Sequence, residues 1–178
     1  IDTTQKTQPC NYVIEFEGAT LDANAKSTAI PDSGITGPAV DIASYEVCFL
    51  KPVDSQVSAP TFASGKVAAS ALHVTLPTGP HVPVILEWLH KQKYITKVKV
   101  HKLVIVGGND TGPRISETLA FSEAKIAEVR IGAEYGTRIV VQYDQFDITV
   151  KPIDKADGSE KGNVAFGWVY ATNKAAAT

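Results

Sequence analysis

Branched apolar side chains set the first constraint on this chain. The sequence holds 19 Val and 14 Ile against 8 Leu and no Met. Two heavy atoms on Cβ stiffen χ1, lower helix propensity and pack well on a pleated surface, so this inventory favours strands over helices. The remaining composition, 44% apolar and 20% charged over 178 residues, suits one globular domain with a sizeable core. Seventeen basic and nineteen acidic residues leave a net charge of −2. That balance gives no electrostatic reason to expect nucleic acid or an anionic membrane as partner. No apolar run approaches the roughly 18–20 residues of a membrane helix, so no membrane insertion is expected.

Periodicity places the elements. Tyr12, Ile14 and Phe16 alternate with Val13, Glu15 and Glu17, which apart from Val13 is a half-buried strand with its carboxylates toward solvent. Residues 18–37 are small and polar and form a long loop. The pattern predicts a second strand over 40–50 and a third over 66–76. Between them, 51–65 has neither helical nor strand period and is an extended excursion. Thr78-Gly79-Pro80 is a helix start signal, and Pro83 is tolerable only in a first turn. Ile85, Leu86 and Leu89 then repeat at helical spacing with Trp88 beside them. The result is one helix of roughly ten residues, too short to stand alone and therefore packed on a sheet.

Strand character resumes over 94–106. Two further patterns, Leu119/Phe121 and Ala127/Val129/Ile131, lie within 116–131. Over 138–151 the phase moves from Ile139, Val141 and Tyr143 to Phe146, Ile148 and Val150, which requires a bulge or sheet corner near Asp144. Asp157-Gly158 marks a hairpin tip before a last strand over 163–170. Short strands, little helix and repeated turn signals point to a barrel or a sandwich. The chain divides into a polar tail (1–11), a single β domain (12–174) and a frayed tail (175–178).

The chemistry-bearing residues form no motif. His73, His81, His90 and His101 have no H-x-H or H-E-x-x-H partner, and His73 and His101 sit on the polar phase of strands, toward solvent. There is no G-x-S-x-G elbow, and Gly107-Gly108 lacks the rest of a phosphate loop. Glu15 and Glu17 share a face, but nothing apolar nearby would raise a carboxyl pKa, so they form a solvated surface. No catalytic, cofactor or metal site is expected. Cys10 and Cys48 allow either one disulfide or two free, partly buried thiols. Neither has the further Cys or His that zinc would need. Trp88 and Trp168 belong to core or interface. Lys97 and Lys99 lack the interleaved aromatics of a nucleic-acid surface.

The order of segments does carry information. Ile42-Ala43-Ser44-Tyr45 leads to a Pro/Ser/Ala loop and Gly65-Lys66-Val67. A strand and a helix opened by Pro83 come next, then Lys93-Tyr94-Ile95-Thr96-Lys97-Val98. Glu117-Thr118-Leu119 and a long strand precede a polar hairpin, and the chain closes with Lys161-Gly162-Asn163-Val164, Gly167-Trp168 and Asn173-Lys174. Over residues 12–174 this resembles the haemolysin-coregulated protein (Hcp) family, tube subunits of bacterial type VI secretion systems. Trp168 is followed by Val169 where the family often has Asp, and Pro38-Ala39-Val40-Asp41 replaces a usual polar segment.

The resemblance implies a mainly β fold: a small barrel of two packed sheets, one short helix at its side and long extended loops. It implies no enzyme activity and no cofactor. It implies hexameric rings that stack into a tube inside a contracting sheath, with sheath, spike and effector proteins as partners. The subunit would reside in the cytoplasm during assembly and then be secreted. The excursion 51–65 matches the family's extended loop toward the adjoining ring, with Pro52, Val53, Val57 and Phe62 as contacts. The alternative is a secreted β-sandwich binding module of carbohydrate or adhesin type, favoured by a Cys10–Cys48 disulfide and a monomeric state.

Overall fold

In the computed structural model the described residues are 12–21, 35, 38–51, 66–105, 113–134, 136–154, 159–170 and 174–175. They form β1 (Tyr12–Glu17), β2 (Ala39–Asp41), β3 (Ser44–Glu46), β4 (Phe49–Leu50), β5 (Ala68–Ala69) and β6 (Leu72–Leu76). After α1 (His81–His90) come β7 (Ile95–Ile105), β8 (Pro113–Gly132), β9 (Gly136–Gln142), β10 (Gln145–Val150), β11 (Val164–Val169) and β12 (Lys174–Ala175). Every pairing is antiparallel. A large sheet runs in the order β12-β11-β10-β8-β7-β1-β2, and a second branch runs β3-β6-β9-β8. β4 and β5 form a separate ribbon.

The 20-residue β8 belongs to both sheets. Up to Ala124 it pairs with β7, and from Lys125 it pairs with β9. Where the partners change, Glu123 takes φ 57°, a left-handed conformation that turns the strand from one layer into the other. A second corner lies at Ile42–Ala43. Ile42 N donates to Tyr12 O (3.1 Å) and Ala43 N donates to Thr75 O (2.9 Å), so the chain steps from β1 of one sheet to β6 of the other. Two packed sheets joined at two corners form the small barrel, without an unbroken ladder around it.

The inner faces interdigitate. Ile14, Phe16, Val98, Val100, Leu119 and Phe121 of the large sheet share one cluster with Leu72, Val74, Ile126, Ile139 and Val141 of the second. The helix lies where its start signal placed it, with Pro83 as its third residue. It buries His81, Val82, Ile85 and Trp88, and the Trp88 ring meets Phe16 edge-on at 5.0 Å. Gly79 makes room for the His81 ring, since a Cβ there would lie 2.9 Å from Cε1. At the far end Lys91 N donates to Glu87 O and Lys93 N to Trp88 O, closing the last turn.

Some predicted strands are divided. The span 40–50 is three short strands in three different ladders, because the chain there crosses between layers. The span 66–76 splits into β5 and β6. Ala127 is exposed, not part of the core phase, since the register slips by one residue between Ile126 and Glu128. The phase change near Asp144 is a sheet corner as expected: β9 belongs to the second sheet and β10 to the large one. The long loop over 18–37, the excursion 51–65 and the tip Asp157-Gly158 lie wholly or mostly outside the described residues.

Candidate assembly surfaces

The outer face of the large sheet is partly buried, contrary to the sequence expectation. Val13, Ile14, Glu15 and Phe16 are all at most 1% exposed, so β1 is covered on both sides. His101 lies opposite Val13, and its Nε2 donates to Glu15 Oε2 at 2.6 Å, while Nδ1 meets Thr118 Oγ1 at 2.9 Å. Glu15 and His101 are therefore not solvated strand residues but partners in a buried polar chain. An isolated carboxylate at this depth would be costly, and the imidazole supplies its hydrogen bond. Val13, apolar in the otherwise polar phase of its strand, was the signal that this face is covered. Glu17, nearer the rim, pairs with Lys99.

Apolar side chains gather on the opposite face of the β10–β11 hairpin. The register sets Phe146 opposite Trp168, Ile148 opposite Phe166 and Val150 opposite Val164. Burial falls along this series: Phe146 is in the core, whereas Phe166 is 55% and Val164 67% exposed. Phe166 stacks on Trp168 at 6.3 Å, and Phe49 of the ribbon packs on Phe146 at 4.7 Å. Scattered exposed apolar residues are ordinary, but directly paired ones mark a surface suited to a protein contact.

A cleft of about 810 Å³ separates the strip 66–71 from the corner where β8 and β9 meet β10. Tyr94, Glu123, Lys125, Gln142, Asp144 and Tyr170 line it, and the Tyr94 hydroxyl donates to Glu123. Tyr143 Oη donates to Ser70 O at 2.7 Å across its floor. Burial pushes the Tyr143 hydroxyl well above the ordinary tyrosine range, with Tyr170 adding to the shift.

The remaining sequence candidates fall as follows. Pro52, Val53, Val57 and Phe62 lie outside the described residues, as does Cys10, so the Cys10–Cys48 pairing falls outside them too. Cys48 is exposed, not partly buried, and its N–H donates to Ser70 Oγ. His73 is exposed as expected. His90 is exposed with Nδ1 at 2.7 Å from Leu86 O. His81 is buried, with Nε2 donating to Pro77 O at 2.8 Å. Burial holds its pKa below the ordinary value, against the opposing pull of that carbonyl. Among the described residues no three His, Cys, Asp or Glu side chains group as metal ligands, and no helix is long and apolar enough to cross a membrane.

Two antiparallel sheets sharing one long strand, with a short helix packed at the side, define a fold seen in solved proteins of bacterial secretion machinery. A structure described as a type six secretion system protein matches with a TM-score of 0.70 at 14% identity, covering 93% of this chain and 98% of its own. Hcp1 from E. coli EAEC 042 matches with a TM-score of 0.63 at 13% identity over 89% and 97% of the two chains. Hcp1 from Salmonella typhimurium matches at 0.60 and 12% over 93% and 99%. This chain has the Hcp fold, as the order of its segments implied. No family model matches the sequence, and no curated protein matches it either.

Proposed function

We propose that this chain is a structural tube subunit of a bacterial type VI secretion system or a related contractile injection machine. Copies close into hexameric rings, rings stack into the inner tube, and effectors travel in the lumen. Sheath and spike proteins are the other partners. The subunit assembles in the cytoplasm and is then secreted with the tube; its work is assembly, not catalysis. One observation carries this reading: the fold matches that of a type six secretion system protein across 93% of the chain. The apolar face of the β10–β11 hairpin supports it, because a head-to-tail ring contact needs a surface that a neighbour covers. We assign ring stacking to residues 51–65, with Pro52, Val53, Val57 and Phe62 as contacts.

Light scattering on a sizing column, with negative-stain images of the peak, tests the reading. The expected species is a hexamer of the 19.0 kDa chain with ring views. A monomer at every concentration overturns it.

A further inference from the structure

The second sheet opens like a fork at one end. β6 pairs with β9 from Leu76 opposite Thr137 as far as Leu72 opposite Val141, and there the ladder stops. In the same register Ala71 would face Gln142 and Ser70 would face Tyr143. The chain over 66–71 instead leaves β9 and pairs, as β5, with β4. On the other side the chain turns at Asp144, whose N–H donates to Ser122 O, toward β10. The cleft lined by Tyr94 and Tyr170 is the space between these diverging segments. The Tyr143 hydroxyl, donating to Ser70 O, crosses it where the fork begins.

The edge of β5 that faces this space has no strand beside it. β4 lies along the edge that β3 occupies on β6, so the opposite edge continues the side on which β9 lies. Ser70 N donates to Cys48 O, and the register sets Phe49 opposite Ala69 and Leu50 opposite Ala68. Backbone groups alternate along an antiparallel ladder, so Ser70 and Ala68 turn toward β4 while Val67 and Ala69 turn toward the cleft. Among the described residues, the backbone N–H and C=O groups of Val67 and Ala69 have no hydrogen-bond partner on that side. Residues two apart on a strand repeat their N–H and C=O at roughly 6.8 Å. An extended backbone carries the complementary groups at the same repeat.

The surroundings say what kind of segment fits. Ala68 and Ala69 carry only methyl groups, so another backbone can approach closely, and β5 has neither the charge nor the proline that usually blunts a free edge. Tyr94 and Tyr170 offer aromatic surface, and Lys66 and Lys125 balance Glu123 and Asp144 in charge. Phe49, Leu50, Val67 and Tyr94, around the ribbon and the cleft, are all large side chains left exposed. Apolar side chains gathered in this way suit a protein contact.

We propose that the cleft side of β5 is a binding site for an extended, uncharged segment of a partner protein. The segment adds as a strand along Val67–Ala69 and lays apolar side chains on the tyrosines. The site lies within one subunit and needs no ring, so it stands or falls separately from the tube reading.

The probe is a blocked pentapeptide, acetyl-Thr-Val-Thr-Val-Thr-amide, titrated into the deuterated full-length chain and followed by backbone amide NMR. Saturable shifts centred on Val67 and Ala69 are expected, with hydrogen exchange of those two amides slowed about tenfold at saturation. The same peptide N-methylated at every residue offers no N–H donor and should not bind. Ala69→Pro removes the N–H that faces the cleft and spares the β4 ladder, since an edge strand tolerates proline where its N–H points away from its partner. This change should weaken binding about three- to tenfold, the net factor of one hydrogen bond. Unchanged amide shifts outside β4 and β5 show that the variant is folded. Absence of saturable shifts at millimolar peptide overturns the proposal. Equal binding of the N-methylated peptide would mean apolar contact alone and overturn it, as would wild-type affinity in Ala69→Pro. Exchange at Val67 and Ala69 that slows with rising protein concentration, in the absence of peptide, would put a second copy in the cleft and overturn the assignment to a partner protein.

Discussion

Replacing His101 with Ala tests the buried polar chain directly. The imidazole makes two hydrogen bonds, 2.6 Å to Glu15 and 2.9 Å to Thr118, and the Glu15 and His101 side chains are 2% and 5% exposed. Removing it takes one hydrogen-bond partner from a carboxylate in a place that water does not reach. Breaking such a buried pair from one side costs about 3–5 kcal/mol. In a chain of this size each kcal/mol moves the melting temperature by roughly 2–4 °C, so a fall of about 6–20 °C is expected. His73→Ala is the control, because His73 is exposed and surface substitutions stay within about 0.5 kcal/mol. Urea unfolding followed by Trp88 and Trp168 fluorescence measures both variants. Combining His101→Ala with Glu15→Gln should cost less than the sum of the two single changes, since both disrupt the same contact. If His101→Ala costs no more than His73→Ala, the burial argument is wrong.

Acid should weaken the fold partly through His81. Burial holds its folded pKa below the unfolded value of 6.5, so below that pH the unfolded chain binds the proton more readily. Stability is full above 6.5 and falls as pH drops through the folded pKa. The urea midpoint of His81→Gln, measured from pH 7.5 to 5, should fall less steeply than that of the native chain; parallel profiles would refute the assignment. Phe166→Glu places a charge on a side chain already 55% exposed, so melting should stay within a few degrees while ring assembly is lost on a sizing column. Deleting 52–65 and joining Lys51 to Lys66 through a short Gly/Ser linker should leave the fold and the single ring intact but shorten stacks in negative-stain images. Loss of the folded state would assign those residues to the core.

What could be read from the chain followed the reach of each interaction. The helix was legible because its signals are local: Thr78-Gly79-Pro80, Pro83 and the 85/86/89 spacing lie within one short stretch. The corner at Asp144 was legible as a phase change inside a single run. Glu123 gave no such sign. It has neither Gly nor Pro beside it, and the turn there is imposed by two different partner strands. Glu15 and His101 were misplaced for a related reason: their contact spans 86 residues of sequence, and alternation marks a polar side without telling whether it is covered.

The shared strand has a mechanical consequence. A segment bonded to one sheet along its first half and to the other along its second cannot slide without loading both ladders together. Force applied along β8 is then borne by many hydrogen bonds in shear, in both ladders, rather than by a few at a time at an unzipping end. The left-handed residue at Glu123 becomes the point where the backbone, the stiffest element available, carries thrust around the bend from one layer to the next.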